Sequence, residues 1–245
     1  MTLLIAAQHS FLDAVGLNNE AVSMIAAGDS NDQKAIQLLQ HSIIIMKKAS
    51  AAVKQCSGQA YKISMASSAA PIIHHHHHET VSLSHTIPDQ RWFMYNKALR
   101  FKTEIFSLAS FLEDFQAFSA VVLFNLALIY HRSALCGNQK FASLSGKASS
   151  LYSLVLKLDW PGWISSRTSM VTCTIVKLAA TNNLAQISNE SGKTKLAQEG
   201  LEHLSAGIRQ SRKDFPCLFQ QASGDMKGLM TNLRLWKSDA VAPEA

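Results

Sequence analysis

Apolar residues recur at three- and four-residue intervals in six segments of this chain, which is the pattern of amphipathic helices. The clearest two are VVLFNLALIYHR and KASSLYSLVLKL, which lie on either side of a polar loop. Gly28 and Gly192 mark the turns between the other segments, since glycine commonly follows the end of a helix. The pattern therefore predicts a mainly all-α protein of antiparallel helix pairs. These pairs span about residues 12–49, 116–158 and 170–210.

The helical pattern is lost between the first and second pairs. Residues 66–88, ASSAAPIIHHHHHETVSLSHTIP, have low complexity and no stable period, so we expect a flexible basic and His-rich insertion over about residues 50–90. Aromatic and β-branched residues near 61–65 and 92–101 favour a short β-ribbon that closes the insertion, with a helix as the alternative. We expect one helical domain over residues 1–245 with a disordered tail from about residue 238.

Composition excludes a disordered chain, because 47% of the residues are apolar and 16% are charged. The net charge of +6 arises between Lys47 and Lys102, a range that contains eight basic and two acidic residues. This window makes binding to nucleic acid or to another anionic surface an alternative function. The four cysteines are scattered and no secretory signal is found, which predicts a cytoplasmic or nuclear protein. We expect no membrane span, because the longest apolar stretch is about half the roughly 20 residues of a membrane helix.

The three helix pairs share a short core in their first helices: Asn19-Glu20-Ala21, Asn125-Leu126-Ala127 and Asn183-Leu184-Ala185. With Tyr130 after the second core and Ala148-Tyr152 in its partner helix, the chain resembles a tetratricopeptide repeat protein. The third pair keeps the family spacing from Ala185 to Ala197. The repeats are degenerate, since Glu20 replaces the expected leucine, and they are not in tandem.

The resemblance implies a superhelix whose first helices line a groove for an extended peptide or a partner helix. Asparagine at the shared position can both donate to and accept from a peptide backbone, or it can bond only to neighbouring helices. His131 and Arg132 would face the groove, with interaction at a helix C-terminus as their alternative role. The candidate partner-binding residues are Asn19, Asn125, His131, Arg132, Asn182, Asn183 and Gln186.

No catalytic motif is found in the sequence: there is no Gly-x-Ser-x-Gly elbow and no HExxH helix. The histidine tract offers nitrogen ligands to a transition metal but imposes no geometry, so we interpret it as a solvated low-complexity segment. Its members are His74, His75, His76, His77 and His78. We therefore expect a non-enzymatic scaffold without a cofactor that binds a protein or peptide partner.

Overall fold

The computed structural model describes residues 2–28, 31–64, 78–82, 94–101, 108–136, 141–158, 167–216 and 223–241. Within these ranges the chain forms seven helices and two short strands. The helices are α1 (Thr2–Ala27), α2 (Asp32–Ser64), α3 (Leu108–Cys136), α4 (Phe141–Lys157), α5 (Arg167–Glu190), α6 (Thr194–Asp214) and α7 (Ser223–Val241), and the strands are β1 (His78–Ser82) and β2 (Lys97–Phe101). Helices account for 90% of the described residues, which confirms the all-α prediction.

The helices pack as antiparallel pairs in sequence order. The most extensive contacts join α1 to α2, α3 to α4 and α5 to α6, which correspond to the three predicted pairs. Since α2 also contacts α3, and α4 contacts α5, the six helices form one continuous series. The buried side chains of Met226 and Leu229 belong to α7, which packs against α5 and α6.

Close approach of two helices explains one glycine of the third pair. A Cβ atom added at Gly200 would lie 2.9 Å from the Cβ atom of Ala185, closer than side chains tolerate. The small residues Ala185 and Gly200 therefore allow α5 and α6 to approach closely at this point.

Two expected boundaries differ from the structure. Helix α2 continues to Ser64, well past the expected start of the insertion at about residue 50, because this stretch is rich in the strong helix formers Ala, Lys and Gln. Residues 61–64 are therefore helical and do not form a strand of the β-ribbon. Helix α7 reaches Val241, so the first part of the expected tail from residue 238 is helical. His74 to His77 lie outside the described residues, and His78 begins β1.

The β-ribbon has one strand where the sequence predicts it and its partner elsewhere. β2 falls within the expected range 92–101, but it pairs antiparallel with β1, with His78 opposite Phe101 and Val81 opposite Ala98. Phe101 then packs edge-on against Phe118 of α3 at 5.5 Å between ring centroids. β2 is therefore a part of the hydrophobic core and not a surface hairpin.

The most apolar helix is at the centre of this core. Residues Phe115–Cys136 of α3 have a mean hydropathy of 1.4 and the length and composition to cross a membrane. This stretch is longer than the one considered from the sequence. Its window is 78% buried inside the protein, as in the core helix of a folded domain, so hydropathy alone does not indicate a membrane span.

Candidate functional site

The three asparagines of the repeated core meet on one surface, and a segment of the same chain covers it. This segment, residues 94–101, is called the internal strand here, and it includes β2. It crosses α1, α3 and α5, and an asparagine at the shared position of each helix bonds to its backbone. We call these three residues the asparagine ladder: Asn19, Asn125 and Asn183.

Asn125 is the middle rung of the ladder. Its Oδ1 accepts a hydrogen bond from the backbone N–H of Leu99 at 2.9 Å, and its Nδ2 donates to the carbonyl oxygen of Leu99 at 2.8 Å. The other hydrogen of Nδ2 is donated to Oδ1 of Asn18 at 2.9 Å. Asn18 also donates to the Leu99 carbonyl, at 3.1 Å. Asn125, Asn18 and Leu99 are all fully buried, so this backbone residue is bonded entirely by side-chain amides.

Asn183 holds Tyr95 in the same way. Its Oδ1 accepts from the Tyr95 N–H at 2.9 Å, and its Nδ2 donates to the Tyr95 carbonyl at 3.1 Å. Nδ2 also donates to the hydroxyl of Tyr152 at 3.0 Å, and Oδ1 accepts from Asn182 at 3.1 Å. An asparagine side chain has two donor hydrogens and two acceptor lone pairs. All four are used at Asn183.

Asn19 completes the ladder at the other end of the internal strand. Its Oδ1 accepts from the Phe101 N–H at 3.0 Å and its Nδ2 donates to the Phe101 carbonyl at 2.8 Å. Unlike the other two rungs, Asn19 is half-buried. The ladder therefore binds three residues of one extended segment through six hydrogen bonds, all to backbone atoms, and Asn18 adds a seventh.

The side chains of the internal strand occupy pockets between the helices. Tyr95 and Leu99 are fully buried and Phe101 is 4% exposed. The Tyr95 ring packs edge-on against Phe124 at 5.9 Å. Arg100 points elsewhere and donates from its guanidinium to Oγ of Ser23 at 2.6 Å. The strand thus combines hydrogen bonds through its backbone with apolar side chains buried against the helices.

The two edges of β2 have different partners. Successive residues of a strand present their backbone N–H and C=O groups to opposite edges. Because Leu99 and Phe101 bond to the ladder, Ala98 and Arg100 between them face β1, where Val81 and Glu79 are opposite. The internal strand is therefore bonded on one edge by side chains of the helices and on the other by a strand.

Arg132 is buried away from the ladder and links three helices. Its guanidinium forms an ion pair with Asp32 at the start of α2 and donates to the carbonyl oxygen of Ile25 at 3.3 Å in the last turn of α1. Ser133 also donates to Asp32, at 3.3 Å. Arg132 therefore contacts the C-terminal end of α1 and the N-terminal end of α2.

His131 is fully buried, and neither ring nitrogen has a hydrogen-bond partner among the residues that the structure describes. Its ring packs edge-on against Tyr152 at 6.0 Å, and its Nε2 lies 4.0 Å from a carboxylate oxygen of Glu190. Burial lowers the pKa of His131 to about 3, so the imidazole is neutral at physiological pH. Burial also raises the pKa of Glu190, which a hydrogen bond from Gln186 opposes.

Asn182 and Gln186 are buried beside the ladder on α5. Asn182 accepts a hydrogen bond from Asn232 of α7 at 2.7 Å, so α7 is tied to the ladder through Asn183. Gln186 donates to Glu190 at 2.9 Å, and within the described ranges its own Oε1 has no hydrogen-bond partner. Both residues support the surface from within, and neither bonds directly to the internal strand through a described hydrogen bond.

The expected site residues therefore separate into two groups. Asn19, Asn125 and Asn183 come together on one extended segment, whereas His131 and Arg132 are buried elsewhere. Sequence reasoning missed Asn18, Asn232 and the position of the internal strand across the helices. The asparagine pairs at 18–19 and 182–183 are a signal that could have indicated Asn18.

The other sequence hypotheses concern surfaces that are partly outside the described residues. Among the residues that the structure describes, no group of three or more His, Cys, Asp or Glu side chains is placed to hold a metal ion. In the basic window, Lys47 and Lys48 are exposed on α2, and Lys97 and Arg100 are half-buried on β2. Binding of an anionic partner by this window stays a prediction.

The fold and this site define a class: an all-α protein whose paired helices hold an extended segment by its backbone. Comparison with protein-family models, with curated proteins and with solved structures finds no match for this chain. The resemblance to tetratricopeptide repeats therefore remains a prediction.

Proposed function

We propose that this protein is a non-enzymatic, tetratricopeptide-like scaffold that binds a partner protein by holding an extended segment of it across α1, α3 and α5. The observation that supports this proposal is the asparagine ladder. Each rung bonds both backbone groups of one residue, which is how a surface recognises an extended peptide whatever its side chains are.

The energetics of the ladder suit reversible binding. A hydrogen bond made on binding contributes about 1 kcal/mol net, because it replaces one to water. The six ladder bonds and the burial of three large side chains give a favourable contribution, which is offset by the cost of ordering the segment. A partner segment bound in this way exchanges readily and needs no covalent chemistry.

The proposal is tested with a labelled synthetic peptide of residues 94–101, MYNKALRF, and the full-length protein. Binding is measured by fluorescence anisotropy, both to the wild-type chain and to a Leu99→Ala chain, whose own strand is held less tightly. We expect the peptide to bind to at least one of these chains. Methylation of the peptide nitrogen at the Leu99 position should weaken binding about tenfold or more, since it removes the hydrogen bond to Asn125 and introduces a clash.

The matched control is the same peptide methylated at the Asn96 nitrogen, which makes no hydrogen bond in the described part of the chain. This modification should leave affinity nearly unchanged. Equal loss from both methylations would show that the backbone is not read by the ladder. An absence of binding to both chains would contradict the proposed function.

A further inference from the structure

We infer that the internal strand is a built-in competitor for the partner, and that the partner segment carries the same spacing of side chains. Counted from Tyr95 as position 1, this spacing is a large apolar or aromatic residue at positions 1, 5 and 7 and a small residue at position 4. The inference rests on the proposed function, because it identifies the ligand of the same site.

Burial along the internal strand defines this spacing. Tyr95, Leu99 and Phe101 are between 0% and 4% exposed, so their positions require large side chains that fill the pockets. Ala98 is also fully buried, which leaves little room for a larger residue at position 4. Asn96, in contrast, is half-buried and tolerates change. The chain's own segment therefore records which sequences the site accepts.

Aromatic contacts at the two ends of the strand strengthen this preference. Phe101 packs on Phe118 of α3, which in turn packs on Phe11 of α1 at 5.3 Å. At the other end Tyr95 packs on Phe124. Edge-to-face pairs of this kind contribute beyond the area that they bury. A partner with aromatic residues at positions 1 and 7 reproduces both contacts.

The helices form a connected body without the internal strand. The contacts between α1 and α2, α2 and α3, α3 and α4, α4 and α5, and α5 and α6 link all six helices directly. The β-ribbon enters the sequence between the first two helix pairs and lies across this series. Replacing the internal strand by another segment therefore exchanges the backbone bonds to the ladder for an equivalent set and leaves the helix pairs in contact.

The tether makes the internal strand a strong competitor. A covalently linked ligand acts at an effective concentration on the order of millimolar, so a free peptide of equal intrinsic affinity has to reach that range to replace it. Weakening the internal strand raises the fraction of open sites and improves the apparent affinity by the same factor. Competition therefore predicts that damage to the internal strand increases binding.

The test compares wild-type, Leu99→Ala and Asn96→Ala full-length chains, with labelled MYNKALRF as the probe. Truncation of a buried leucine weakens the strand about 100-fold, so the Leu99→Ala chain should bind the peptide about 10- to 100-fold more tightly than wild type. The Asn96→Ala chain, altered at a half-buried position of the same segment, should bind like wild type. A peptide with aspartate at position 5 should not bind, whereas aspartate at position 2 should be tolerated.

A second measurement does not depend on the folding of a variant. Excess peptide added to the wild-type protein should accelerate hydrogen exchange at the Leu99 and Phe101 amides, because they lose their bonds to Asn125 and Asn19. Unchanged exchange at these amides with peptide bound, or equal affinity of wild-type and Leu99→Ala chains, would overturn the competition while leaving the proposed function intact. Failure of every chain to bind would overturn both.

Discussion

Replacing Asn125 by alanine tests the ladder at its middle rung, which is fully buried. The substitution removes three hydrogen bonds, two to Leu99 and one to Asn18. The Leu99 carbonyl keeps its bond from Asn18, but the Leu99 N–H and the Asn18 Oδ1 are each left without this partner in a site closed to water. A buried polar group without a partner costs about 1–3 kcal/mol. We therefore expect Asn125→Ala to lower the free energy of unfolding by about 3 kcal/mol.

Urea denaturation followed by circular dichroism measures this loss, and the exchange rate of the Leu99 amide locates it. The control is Asn189→Ala on α5, the helix that also carries Asn183. The side chain of Asn189 is half-buried and makes no hydrogen bond in the described part of the chain. This control should change stability by no more than about 0.5 kcal/mol. A cost for Asn125→Ala that is as small as the control's would refute the assignment of the internal strand to the ladder.

Two further predictions concern packing and charge. Gly200→Ala should destabilise the protein, because its Cβ would lie 2.9 Å from that of Ala185. Gly146→Ala, in open space on α4, should stabilise the protein by about 0.5–1 kcal/mol. Thermal melts should therefore shift in opposite directions for the two variants. His131 should make the protein less stable in acid. Its pKa is about 3 in the folded protein and 6.5 in the unfolded chain, so below pH 6.5 the unfolded chain binds a proton that the folded protein does not. The free energy of unfolding therefore decreases as the pH falls below 6.5. Between about pH 7.5 and about pH 5 the wild type should lose about 2 kcal/mol more than His131→Gln in urea titrations, while the raised pKa of Glu190 acts in the opposite direction in both proteins. Parallel pH profiles would contradict the burial of a neutral imidazole.

The helices could be predicted from the sequence because their evidence is local. Apolar spacing identifies the buried stripe of α4, where Ala148, Tyr152 and Val155 are fully buried as the pattern requires. The end of α2 was harder to predict, since Ala, Lys and Gln are strong helix formers and continue the helix without an apolar stripe to mark it. The pairing of β1 with β2 depends on contacts between residues about 20 apart in the chain, which no local period records.

The candidate site shows a sharper limit of sequence reasoning. The asparagines of the repeated Asn-x-Ala core bond to one extended segment, because the helices that carry them pack in a continuous series. It cannot show what covers that surface, because the amides of Asn125 and Asn183 bond to backbone atoms, which every sequence has. The partner of a backbone-binding surface leaves no complementary residue to find. The segment that covers the surface has buried side chains at Tyr95, Leu99 and Phe101. This pattern of apolar residues is the same as in any half-buried strand, so the sequence does not show that the segment lies across the helices. Side-chain amides that share one helical surface, with no complementary residue evident in the sequence, can therefore bind an extended apolar segment of the same chain. Such a segment is the first candidate, before an external ligand.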